Sequence, residues 1–392
     1  MCESEMSIRY ISSFAVDTLH SMINRALLEM LCNAFPGKVV CYASASSMHS
    51  LTTGLGDKIA ESREIYVPRG SKRIYLLLRY LCSAFQNVRL LLSSKHNDIL
   101  FFNFNNVFSL KAIDLINRRF KRRIVVCCHG ELEYLVNSEK HSRAYKRLMI
   151  RLTNSYFGKP DRNPAPGMRF IVLGDVLLQN LRPLVSPRLY ERFSSIDHPL
   201  IGSPANSDEA TEKNDGTIRL GTVGIMNEYK GSDNLLMLAK KLSDNRDISL
   251  HIVGHIQCDP EPFQKAGISI PSNPKEPLPE YEFGRSVSEL DYILLLYPTD
   301  TYRLIASGAI LDCIRFRKPV IALRTDYFEY IFDKLGPFGI LVNDIDEMAK
   351  EIERIGKTPL PQYDFDKIAS ALSPNNLTPQ LAEIISRPLE KT

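Results

Sequence analysis

The strongest constraint on the fold is a repeated pattern. Short, continuously apolar runs alternate with helical patterns, and the series starts afresh after a polar stretch near residue 200. Ile8 to Phe14, Val39 to Tyr42, Ile99 to Phe104, Ile124 to Cys128 and Phe170 to Leu173 read as strands. Between them Leu19 to Phe35, Ser71 to Phe85, Leu110 to Arg119, Arg143 to Asn154 and Val176 to Leu184 read as helices. Strands that are apolar throughout, without alternation, belong in a parallel sheet covered on both faces. Residues 201–217 (IGSPANSDEATEKNDGT) are polar and rich in Gly, Pro, Asn and Ser, the composition of a connector. A second series follows. Its strands are Ile218 to Val223, Ser249 to Val253, Tyr292 to Tyr297, Val320 to Leu323 and Ile340 to Val342. Its helices are Asp233 to Leu242, Ala309 to Arg315 and Ile345 to Ile355. Asp364 to Leu372 and Thr378 to Ser386 form a helical tail.

The expectation is α/β, two doubly wound Rossmann-like domains facing each other across a cleft. Residues 1–200 form the first domain, 201–217 the linker and 218–360 the second, with 361–392 packing back toward the first. Ligands are expected at the carboxyl ends of the strands.

Composition removes several function classes. The longest apolar candidate, Ile74 to Phe85, is broken by Arg79 and falls short of the roughly 18 residues that span a bilayer. The acidic N-terminus lacks a signal-peptide pattern, and the eight cysteines include no C-x-x-C pair, so reduced thiols in a cytoplasmic protein are expected. Charge is uneven. Residues 1–200 hold 28 Lys and Arg against 16 Asp and Glu, while 201–392 hold 21 against 29. The basic clusters Arg118 to Arg123 and Lys140 to Arg151 come without any nucleic-acid-binding signature. No nucleic-acid partner is expected, and an anionic membrane surface or lipid-linked acceptor fits better. Metal is not expected either. Asp344-Ile345-Asp346 and Asp364-Phe365-Asp366 have the letters of a metal-binding pair but stand at helix starts, where Asp caps. No G-x-S-x-G, P-loop or G-x-G-x-x-G occurs.

The most informative segment is 297–320, where an apolar strand leads into a polar loop ending in Ser307-Gly308, then a helix, then Lys318-Pro319-Val320. A helix that starts at Ser-Gly offers free N–H groups and the positive end of its dipole to an anion. Upstream, the first strand of the second half ends in Gly224, followed by Lys230-Gly231 and a helix capped by Ser232 or Asp233.

Together these segments resemble the nucleotide-sugar site of GT-B fold glycosyltransferases, especially the retaining family 4 group in its Ser-Gly subgroup. The resemblance implies a donor diphosphate held by Gly224, Lys230, Ser307 and Gly308. Asp312 would lie at the ribose hydroxyls and Ile268 to Pro271 near the base. Two positions depart from the family pattern: Ile225 stands where an Arg is usual, and Leu304 where a Glu is usual. Arg303 is the candidate replacement charge, and Tyr302 a possible contact to the sugar or phosphate or a core aromatic. In the first half His129 ends a strand. The resemblance implies that it steadies the transferred sugar, with Gly130 allowing a tight turn and Glu131 orienting the ring. Asp17 and His20, in the loop after the first strand, are candidate acceptor contacts.

The activity implied is transfer of a sugar from a nucleotide-diphosphate sugar to a glycan or lipid-linked acceptor, with retention, in bacterial surface polysaccharide synthesis, needing no cofactor. Two alternatives are a sugar-nucleotide epimerase and a silent donor-binding or scaffold protein.

Overall fold

The computed structural model describes residues 6–17, 21–70, 72–136, 144–202, 216–355 and 362–388. His20, most of the connector and the start of the second basic cluster lie outside the described residues. The chain divides into two compact units. One comprises 1–201, 304–306 and 372–392, the other 202–303 and 307–371.

Among the described residues the first unit contains seven strands. They are β1 (Ile8–Ser12), β2 (Val39–Ala43), β3 (Ile59–Glu64), β4 (Ile99–Phe102), β5 (Arg123–Cys127), β6 (Met168–Val172) and β7 (Phe193–Ser195). All pairs are parallel, in the order β3-β2-β1-β4-β5-β6-β7. Its helices are α1 (Ser21–Ala34), α2 (Ala45–Thr52), α3 (Arg73–Leu92), α4 (Val107–Phe120), α5 (Ala144–Tyr156), α6 (Asp175–Leu181) and α7 (Pro187–Tyr190).

The second unit has β8 (Ile218–Met226), β9 (Ile248–Ile256), β10 (Tyr292–Leu295), β11 (Val320–Leu323) and β12 (Gly339–Val342), again all parallel, in the order β12-β11-β10-β8-β9. With them come α8 (Ser232–Lys241), α9 (Glu261–Lys265), α10 (Glu280–Ser288), α11 (Gly308–Arg315), α12 (Asp326–Leu335), α13 (Ile345–Ile355) and α14 (Phe365–Ala371). The last helix, α15 (Pro374–Ser386), belongs to the first unit, where Leu377, Leu381, Ile384 and Ile385 join Leu27 and Leu31 of α1 in one core.

The central strands are buried along their whole length, as continuous apolar runs require. Several bounds move. β1 stops at Ser12 and β10 at Leu295, whereas β8 runs on to Met226 and α3 to Leu92. The unforeseen β3 (IAESRE) is a polar edge strand that is exposed over most of its length, so no apolar run announces it. Asp344 and Asp364 do cap helices: their carboxylates accept the backbone N–H of Glu347 (2.7 Å) and Lys367 (3.0 Å).

Candidate functional site

In the second unit β8 and β9 pair in register through Met226 and Ile256. Gly224 faces Gly254 in this ladder, and a Cβ on Gly254 would stand 1.9 Å from the Gly224 carbonyl oxygen. Beyond β8 the Asn227 side chain accepts the Lys230 N–H (3.2 Å), closing a single 3-10 turn over Glu228–Lys230. Gly231 then takes φ +83°, and a Cβ there would lie 1.9 Å from the carbonyl oxygen of Leu296. No other residue fits that approach. The Leu296 carbonyl also accepts from Asn234 Nδ2 at 2.8 Å. The Lys230-Gly231 turn is thereby pinned to the chain just past β10. Gly231 itself is the N-cap of α8, in place of Ser232 or Asp233.

This pinning aims Lys230. Its ammonium lies 5.6 Å from the centroid of the Tyr297 ring and 3.8 Å from where a Gly224 Cβ would be. Tyr297 is fully buried and joins two loops. Its hydroxyl hydrogen-bonds Ser307 Oγ (3.0 Å), and Tyr302 packs on its ring with centroids 4.4 Å apart. Tyr302 thus packs as an aromatic partner of Tyr297, with its backbone at φ +57°. Thr301 Oγ1 donates to the Tyr229 carbonyl (3.3 Å) and so ties the loop after β10 to the turn carrying Lys230.

Ser307 precedes α11 with extended dihedrals but does not cap it, because its hydroxyl is committed to Tyr297. Gly308 is exposed, and a Cβ there would meet nothing within 4 Å. The first residue of α11 thus has open space beside it. One turn on, burial pushes the half-buried Asp312 carboxyl up to about 6, while the positive charges of Arg315 and Lys230 oppose the rise. Burial and the nearby Lys230 both lower the pKa of His255, at the end of β9. Gly224, Lys230, Tyr297, Ser307, Gly308 and Asp312 thus form one neighbourhood at the carboxyl ends of β8, β9 and β10. Arg303 is exposed at the edge of the unit, just before the three residues that cluster with the other one. A shallow cavity of about 280 Å³ beyond β10, β11 and β12 is lined by Thr299, Arg324, Asp326 and Asn343, among others.

In the first unit His129 follows β5. Its Nε2 lies 2.6 Å from the Asn103 carbonyl oxygen, which can only accept, so Nε2 carries the proton. Asn103 orients the ring, in place of Glu131. The buried Glu131 carboxylate instead accepts the backbone N–H groups of His129 and Gly130, both at 3.2 Å. Burial pushes that carboxyl up to about 7, against those two bonds. Gly130 has φ −146°, so the turn does not demand glycine there; Ile305 lies 3.6 Å from its absent Cβ. The neighbouring Glu133 accepts the Leu304 N–H at 2.8 Å, so the position of the missing Glu holds a buried backbone contact. Asp17, at φ +52°, pairs with Arg69, and its N–H donates to Ser46 Oγ.

No protein-family model matches this chain, and no curated protein matches it. Solved structures do. Anabaena HepE in complex with UDP and glucose superposes with a TM-score of 0.61 at 13% identity, over 98% of this chain and all of that one. This is the GT-B fold. WaaG, a glycosyltransferase involved in lipopolysaccharide biosynthesis, matches with a TM-score of 0.54 at 15% identity, again over 98% of this chain and 100% of that one. The E. coli trehalose-6-phosphate structure bound with UDP-2-fluoro glucose matches with 0.61 at 8% identity, with the same coverage of both chains.

Proposed function

We propose that the chain is a glycosyltransferase of the retaining family 4 type. It would move a sugar from a nucleotide-diphosphate donor to a glycan or lipid-linked acceptor in surface polysaccharide synthesis. The observation that carries this reading is the convergence of the Lys230 ammonium and the open N-terminus of α11 on one buried tyrosine, Tyr297. A cation and a helix N-terminus side by side suit a diphosphate, and suit it best when negative charge develops on it. In the reaction the bond from the anomeric carbon to the β-phosphate oxygen breaks, and the diphosphate leaves with the electron pair. The acceptor hydroxyl bonds to the same face of the sugar and passes its proton to the leaving phosphate oxygen. No step in this scheme uses a metal or other cofactor.

Within the scheme Asp312 accepts from the ribose hydroxyls, and its partial burial strengthens those bonds. His129 steadies the sugar with its ring fixed by Asn103. The basic first half faces an anionic membrane surface. HepE and the E. coli structure hold UDP or a UDP sugar, which makes UDP the first probe.

A second reading, a donor-binding protein without turnover, draws on Ile225 and on the backbone contact that occupies Leu304. Thermal-shift measurement with UDP and UDP sugars tests the site itself. A ligand at about 100 times its Kd raises stability by roughly 2.7 kcal/mol, and no shift with any nucleoside diphosphate sinks both readings. If UDP binds, incubation of UDP sugars with and without saccharide acceptors separates transfer from silence and from epimerisation.

A further inference from the structure

Helix α3 is inside out. Its buried face carries Arg79, Ser83, Gln86 and Asn87 beside Tyr80, Leu90 and Leu91. Those polar groups are fastened within the unit. Ser13 Oγ lies 2.8 Å from Ser83 Oγ and donates to Asn87 Oδ1 (2.7 Å). Asn87 Nδ2 reaches Ser109 Oγ of α4 (3.3 Å). Arg79 donates to the carbonyls of Pro68 (3.2 Å) and Gly70 (3.1 Å). The outward face is apolar. Ile74, Leu78, Leu81, Phe85 and Leu92 recur at helical spacing, with Tyr75 beside them, and Phe85 is 67% and Leu81 48% exposed. A helix that hides its polar groups and shows its apolar ones is built for an apolar neighbour.

The charge around the stripe names that neighbour. α3 crosses from β3 to β4, α4 from β4 to β5 and α5 from β5 to β6. Right-handed crossovers in one direction put all three helices on the same face of the sheet, and α4 packs against both of the others. Together the three helices hold nine Lys and Arg and one acidic residue. That residue, Asp114, is buried and paired with Arg118 (3.3 Å) and Arg162 (3.4 Å). Lys111, Arg119, Arg147 and Arg151 are exposed on α4 and α5, and Arg89 in the last turn of α3. Among the described residues no helix is long and apolar enough to cross a membrane.

We propose that α3 is an interfacial anchor. It lies in the plane of an anionic lipid surface and buries Ile74, Leu78, Leu81 and Phe85 among the acyl chains, while the basic residues of α4 and α5 meet lipid phosphates. A stripe of alternating turns about 30 Å long, on a helix without acidic residues and rimmed by cations, is the form such anchors take. This goes beyond docking by charge alone and deepens the proposed function, resting on it only for the idea that the acceptor is lipid-linked.

The chain has no tryptophan, so Phe85→Trp provides a single reporter at the centre of the stripe. With vesicles of phosphatidylcholine and phosphatidylglycerol its emission should shift to the blue. Binding should persist in part at about 500 mM salt, because apolar insertion is not screened. Leu81→Glu with Phe85→Glu should lower vesicle partition at least tenfold while leaving the melting temperature and UDP binding of the full chain unchanged. An unshifted Phe85→Trp emission on vesicles that sediment the protein, or equal partition of the double variant, overturns the anchor. A concentration-dependent dimer that the double variant abolishes, with no vesicle binding, overturns it in favour of a second copy. Vesicle binding without any nucleotide binding would leave the anchor standing and remove the glycosyltransferase reading.

Discussion

Removing the charge of Lys230 is the sharpest test of the donor site. Lys230→Met keeps the aliphatic stem and deletes only the ammonium. In the free protein that ammonium is a half-buried cation 5.6 Å from the Tyr297 ring, a contact worth about 0.5–1 kcal/mol of fold stability. The melting temperature should therefore move little. In the complex the same group would give a charge-assisted bond to a phosphate, about 1.5–3 kcal/mol. Partial solvent access places this site toward the lower end, so the Kd for UDP should rise at least about tenfold. Titration calorimetry with UDP at neutral pH reads the effect directly. UMP, lacking the β-phosphate, serves as the internal comparison and should lose less. A UDP affinity within about twofold of wild type in a normally folded variant would refute the assignment of Lys230 to the diphosphate.

Two glycines separate architecture from binding. Gly231→Ala sets a Cβ against the Leu296 carbonyl at an unfavourable φ and should destabilise by more than about 2 kcal/mol in denaturant titration; a neutral result would contradict the close approach. Gly308→Val projects into open space, so stability should hold while UDP binding falls steeply, and retained UDP affinity would mean that the anion lies elsewhere. Glu131 supplies a pH signature. Burial raises its carboxyl to about 7, so the folded state holds its proton more tightly than the unfolded chain, and its contribution to stability is lost as pH rises from about 4.5 to 7. Glu131→Gln should flatten that fall in thermal melts across the window, and an unchanged pH profile would show that the carboxyl does not titrate there. His129→Ala should cut sugar transfer far more than UDP affinity; an equal loss of both would place the histidine at the phosphates.

Much of the fold was legible because parallel strands covered on both faces read as apolar runs, and ten of the twelve strands among the described residues were read from such runs. Strands β3 and β7 escaped because neither carries an apolar run: Ile59–Glu64 is mostly polar, and Phe193–Ser195 is three residues long. α10 (EYEFGRSVS) also went unread, its sequence being mostly polar with a mid-helix glycine. Ser307 and Gly308 were legible from the strand, turn and helix around them, Lys230 and Gly231 through the family resemblance, and the structure brings these segments together around Tyr297. Tyr297 was not, because nothing local to a tyrosine at a strand end says that its hydroxyl will take the Ser307 side chain away from the helix it precedes. Glu133 and Asn103 were missed for the same reason, since each acts through a backbone group distant in sequence, Leu304 in one case and His129 in the other. Arg79 read as a break in an apolar run. In the folded helix it marks the buried side.

The return of α15 to α1 has a consequence for dissection of the molecule. A fragment ending at Ile201 would bare Leu27 and Leu31, which Leu377, Leu381 and Ile384 otherwise cover. Such a fragment would be prone to aggregate, and supplying α15 in trans as a synthetic peptide should restore its solubility. The second unit, although interrupted in sequence only by Leu304–Ala306, can be excised with its own last helix, α14, still attached. Limited proteolysis in the connector should therefore yield two pieces that stay together in solution, clasped by a helix encoded at the far end of the chain.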